Sequence, residues 1–145
     1  MINNYSLSGM TLTELDDDLL RNLCKSNYVI FCLGYNDAGS SQDITIFKQK
    51  LKVVSDACNE YGSTLIIADY IWPKGSNTSW ATKYKNELFN CAKNANGYYI
   101  NFYDMYKINS EYLLSDAAHP TPAGHKLIAR KFSYFFGVPF NSNLD

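Results

Sequence analysis

What this chain can fold into is narrowed first by three short apolar runs, Tyr28–Leu33, Thr64–Ala68 and Tyr98–Phe102. Each is strand-length and continuous rather than alternating, the pattern of strands covered on both faces, as in parallel sheets. The stretches after them carry apolar residues at helical spacing. Ile44, Phe47, Leu51, Val54 and Cys58 follow the first run, and Trp80, Tyr84, Leu88 and Cys91 the second. The third leads through a polar loop to Leu127, Ile128, Phe132 and Phe135. Stop and start signals agree: Tyr61-Gly62 and Asn94-Ala95-Asn96-Gly97 end helices, Ser79 caps one, and Pro122 opens the last. Ahead of all this, residues 2–7 read as the end of a strand and Ser8-Gly9 as a turn. Thr11 and Glu14 have the form of a capping box, which predicts a helix over about 12–25 with Leu12, Leu15, Leu19 and Leu23 on one face. Asp16, Asp17 and Asp18 then sit where the helix dipole favours negative charge.

The resulting order, strand then helix four times over, is that of an α/β layered fold with a mostly parallel sheet, and 145 residues suffice for one domain. Ligands in such sheets bind beyond the carboxyl ends of the strands. Gly9, the Gly34-Tyr35-Asn36-Asp37 block, Tyr70 to Trp72, and Asp116 to His119 all follow predicted strands and are expected at one edge. A net charge of −1, from 13 basic and 14 acidic side chains, offers no footprint for nucleic acid or an anionic membrane. Cys24, Cys32, Cys58 and Cys91 are widely spaced among apolar neighbours and read as buried, reduced thiols. No apolar run reaches the ~18 residues of a membrane span, and the start of the chain has no signal-peptide character. The default expectation is therefore a cytoplasmic protein.

The chemistry concentrates in Asp116-Ala117-Ala118-His119-Pro120, followed by Gly124-His125. An acid three residues before an imidazole can hold one ring nitrogen while the other faces a cleft, the arrangement of an oriented general base. Pro120 steers His119 away from helical geometry and onto a loop. His125 falls in the first turn of the last helix and reads as structural. A backbone N–H at Gly9 and the side-chain amide of Asn36 are donors suited to an oxyanion, so the set reads as parts of an acyl-transfer site. Asp37 is expected to accept backbone hydrogen bonds at the strand-end turn. Tyr35, Tyr70 and Trp72 are candidates for lining a substrate cleft, and equally for packing.

These segments resemble the SGNH hydrolases, also called GDSL-type esterases. Gly34-Tyr35-Asn36-Asp37 is similar to the family block whose Asn donates to the oxyanion. Asp116-Ala117-Ala118-His119-Pro120 resembles the block that supplies the Asp and His of the triad, and Ser6-Leu7-Ser8-Gly9-Met10-Thr11 the block whose Gly gives a backbone donor. The resemblance implies a flavodoxin-like three-layer α/β sandwich. It also implies a Ser-His-Asp mechanism on a small acyl ester, including acetyl groups on carbohydrate, without metal or cofactor.

One family element is missing from the chain. The Gly-Asp-Ser block that supplies the nucleophile occurs nowhere in it, so the chain looks like a member lacking the first, central strand and helix. Three accounts follow: a truncated chain, a second polypeptide that supplies the strand and the Ser, or a non-catalytic pseudoenzyme or carbohydrate-binding module that keeps the cleft. Within the chain Ser8, beside Gly9, is the nearest substitute nucleophile, although a turn residue is the plainer reading. A metal site built from Asp37, Asp116 and His119 is a further reading, without a recognised ligand spacing.

Overall fold

A computed structural model describes residues 3–71, 79–102, 110–114 and 118–138. The chain divides into two compact units, Met1–Asn101 and Phe102–Asp145.

The amino-terminal unit is built on a three-stranded sheet of order β1-β2-β3, formed by β1 (Tyr28–Phe31), β2 (Thr64–Asp69) and β3 (Tyr98–Asn101). Both pairings are parallel, with Ile30 opposite Ile66 and Ile67 opposite Tyr99. Parallel neighbours need a crossover, and α3 (Ile44–Tyr61) and α4 (Ser79–Asn94) lie between successive strands in the chain. Phe31, Leu65 and Ile67 of the sheet share one core with Phe47, Leu51, Val54 and Cys58 of α3 and with Tyr84, Leu88 and Cys91 of α4. The helical faces expected from sequence are thus the buried ones, apart from Trp80, whose side chain lies outside the described residues. A left-handed Gly62 at φ 67° closes α3, as its position after Tyr61 predicts.

The amino-terminal segment differs from expectation in two ways. Residues 3–7 form no strand. Tyr5 and Leu7 are exposed there, and the Asn4 side chain accepts from the Ser6 N–H at 2.9 Å, a local bond that competes with strand pairing. The first helix, α1, runs only from Asp17 to Leu23, capped by the Asp16 side chain, which accepts from the N–H groups of Asp18 and Leu19. Thr11 does hydrogen-bond to Glu14, yet the N–H groups of Leu12 and Thr13 go to Asp37. Leu15 N–H closes a single turn on the Leu12 oxygen at 3.1 Å, and the helix itself begins only at the Asp16 cap. The acidic run serves as a helix cap and first turn, as predicted.

Three of the four cysteines, Cys24, Cys58 and Cys91, are buried thiols; Cys32 is exposed, contrary to the reading of all four as buried. It continues the alternation of β1, in which Tyr28 and Ile30 face outward and Phe31 inward. No helix among the described residues is long and apolar enough to cross a membrane.

The carboxy-terminal unit contains a short 3-10 turn (Ser110–Tyr112) and α5 (Pro122–Phe135). Thr121 caps α5 by accepting from the Gly124 N–H, with Pro122 at the first helical position. Phe102 packs on Phe132, their ring centroids 5.7 Å apart.

Candidate active site

The site begins where β1 ends. Gly34 adopts φ 115°, and a Cβ at that position would stand 3.1 Å from Ile71 Cδ1, 3.3 Å from Phe47 Cζ and 3.4 Å from Leu88 Cδ1. Backbone angle and crowding both select glycine there. Beyond it the chain makes a five-residue helix, α2 (Tyr35–Gly39), where sequence suggested only a turn.

This helix turns two polar side chains toward the amino-terminal segment. Asp37 is fully buried; its two oxygens accept from Leu12 N–H at 2.9 Å and Thr13 N–H at 3.0 Å. It is the backbone acceptor predicted, although its donors lie in a remote segment rather than in its own turn. Asn36 Nδ2 donates to the Met10 carbonyl oxygen at 2.9 Å. A carbonyl only accepts, so the amide nitrogen must face Met10. The second amide hydrogen has no partner among the described residues.

Met10 in turn ends the Leu7–Met10 turn, closed by the Met10 N–H to Leu7 oxygen bond at 3.3 Å. Gly9 sits third in it at φ +76°, with open space around the position of a Cβ. A positive φ at that place is the requirement of a type II turn, and glycine meets it without strain. The structure therefore brings the Gly9 turn and the Asn36 amide into adjacent positions, joined through Met10. Ser8 is the exposed second residue of the same turn. Tyr35 opens α2 and Tyr70 follows β2, both half-buried; Trp72 lies outside the described residues.

In the carboxy-terminal unit His119 is an exposed loop residue, as Pro120 predicts. The loop is pinned at its base. Leu113 and Pro120 form an antiparallel bridge; the His119 carbonyl accepts from Leu114 N–H at 2.8 Å, and Thr121 N–H donates to Tyr112 oxygen at 2.9 Å. The Thr121 hydroxyl also donates to the Glu111 carbonyl at 2.7 Å. A Cβ at Gly124 would lie 2.3 Å from the Tyr112 oxygen, so only glycine lets α5 start this close to the 3-10 turn. Asp116 lies outside the described residues. His125 is exposed in the first turn of α5.

One polar group of the amino-terminal unit had no place in the sequence reading. Asp69, at the carboxyl end of β2, is fully buried and receives the side chains of Lys85 and Tyr99. An acid closing an apolar strand was the only visible signal, because its partners come from α4 and β3.

No protein-family model and no curated protein matches the chain. Solved structures do. A catalytic mutant of Axe2, an acetylxylan esterase from Geobacillus stearothermophilus, superposes with a TM-score of 0.66 at 18% identity, over 92% of this chain and 70% of that one. A second catalytic mutant of Axe2 gives 0.60 at 19% identity with the same coverage. So does a further Axe2 mutant, described as an acetyl-xylooligosaccharide esterase. The chain has the α/β fold of these esterases.

Proposed function

We propose that this chain is the greater part of a single SGNH-type serine ester hydrolase domain whose substrates are small acyl esters, with acetyl groups on carbohydrate as the leading class. The observation that carries the reading is the Asn36 bond to Met10. It sets an amide with a spare donor beside the Gly9 turn, from two segments that resemble the oxyanion blocks of that family. Similarity of fold to acetylxylan esterases supports the same class of chemistry.

In the proposed reaction a serine hydroxyl attacks the acyl carbon while its proton passes to His119, held in the required tautomer by Asp116. The carbonyl oxygen becomes an oxyanion and receives the Gly9 N–H and the Asn36 amide. Collapse breaks the ester bond, and the alkoxide leaves with the proton from His119. Water then adds to the acyl-enzyme by the same base, releasing the acid and restoring the serine.

The serine is assigned to a Gly-Asp-Ser segment outside these 145 residues, upstream in a longer polypeptide or on a second chain. Among the described residues β1 pairs with β2 alone, which supports room for one more strand at its other edge. Hydrolysis of p-nitrophenyl acetate by the chain with and without such an upstream segment tests the proposal. Turnover is expected only with the segment, and it should vanish on His119→Ala. Turnover by the 145-residue chain that is lost on Ser8→Ala would instead make Ser8 the nucleophile. An inactive extended chain that still binds acetylated oligosaccharide would favour a binding module.

A further inference from the structure

A carboxylate with no solvent exposure is costly unless its oxygens are occupied. Asp69 Oδ1 accepts from the Ile71 backbone N–H at 2.8 Å, and Oδ2 accepts from Lys85 Nζ and from the Tyr99 hydroxyl. Lys85 Nζ also donates to the Ile71 carbonyl oxygen at 3.1 Å. One buried ion pair thus holds both polar backbone groups of Ile71. Burial, and then the charge of Asp69, raise the Tyr99 phenol above its ordinary pKa, which keeps it a donor.

The side chain of Ile71 is fully buried, and it is the nearest neighbour of the empty Cβ position at Gly34, at 3.1 Å. Gly34 caps α2, and α2 carries Asn36 two residues on. The path from the cluster to the amide is therefore short: Asp69 and Lys85 hold Ile71, the Ile71 Cδ1 methyl fills the space beside Gly34 where a Cβ would stand, and Gly34 precedes Asn36 by two residues. We infer that Asp69, Lys85 and Tyr99 are positioning residues that set the direction of the Asn36 amide by fixing Ile71 beneath the Gly34 turn. The catalytic meaning of this rests on Asn36 being an oxyanion donor; the positioning itself does not.

The test is a ¹H–¹⁵N spectrum of the side-chain amides of the full chain. Lys85→Met keeps the aliphatic stem and removes the bonds to Asp69 and to the Ile71 carbonyl. The Asn36 pair is expected to shift, while that of Asn59, whose Nδ2 donates to Asn94 oxygen at 3.0 Å, stays in place. Ile71→Val removes the methyl that meets Gly34, and it should reproduce the Asn36 shift with the ion pair intact. The double variant should shift less than the sum, as coupled neighbours do. If Lys85→Met does not fold, Tyr99→Phe removes a single donor and is read in the same way. An Asn36 pair unmoved in the folded variants overturns the inference, and so does an equal movement of Asn36 and Asn59, the mark of general loosening. The spectrum is recorded without substrate, so its outcome is independent of whether the extended chain hydrolyses esters.

Discussion

Asp37 is the residue on which the proposed oxyanion site most depends for its shape. It ties α2 to Leu12 and Thr13 while Asn36 holds Met10, so one turn of helix fastens the segment that carries Gly9. Replacing it by Ala leaves two N–H groups unpaired around a buried gap, and the expected loss is about 3 kcal/mol. Asp37→Asn keeps one acceptor and should lose about half as much. Urea unfolding measures both, and a loss within about 0.5 kcal/mol for Asp37→Ala, the range of ordinary surface changes, would contradict the account. Sequence placed this acid at the end of an apolar strand and identified it as a backbone acceptor. It could not name the donors, because they lie 25 and 24 residues away in the chain and only tertiary packing brings them close. The same limit hid Asp69, whose partners Lys85 and Tyr99 belong to other elements.

At the scale of elements, local chemistry decided most outcomes. The helix α3 starts at Asp43, whose side chain accepts from Thr45 N–H at 2.7 Å. That bond is the first cause of a carboxyl pKa below its ordinary value. A group with a lowered folded pKa contributes stability above the unfolded carboxylate pKa and loses it as pH falls through the folded one. Asp43→Asn keeps an acceptor without the charge, so the stability difference between it and the natural chain should favour the natural chain at neutral pH and shrink in acid. Thermal melts across that range check this, and a difference independent of pH would contradict it. The helices α3, α4 and α5 were legible because apolar residues recur periodically in each, with Gly62 closing α3 and Pro122 opening α5; Ser79, expected as a cap, is instead the first residue of α4. The 12–25 helix was not, since the Thr11–Glu14 pair formed but Asp16, a preferred cap residue, took the helix start. The strand expected at residues 2–7 does not form over the described residues 3–7, where Tyr5 and Leu7 are exposed and Asn4 bonds locally to Ser6.

At the scale of the molecule, the three apolar runs were enough to specify a parallel α/β sheet, and the sheet specifies where the motif segments emerge. Gly34 follows the end of β1, Tyr70 the end of β2, and the Gly9 turn is drawn to the first of these by Asn36 and Asp37. The likeness in fold to acetylxylan esterases extends over 92% of the chain. Side-chain identity at the motifs, not the sheet, carries the chemical proposal. Asn36 is its most exposed point, because an amide that merely fastens Met10 would affect stability but not the reacting oxygen. The decisive measurement is kcat for acetyl ester hydrolysis by the chain extended with a Gly-Asp-Ser segment, comparing Asn36 with Asn36→Ala at matched folded fraction. Loss of an oxyanion donor predicts a fall of about 10²- to 10³-fold in kcat with little change in KM; an undiminished kcat would contradict the assignment of this site.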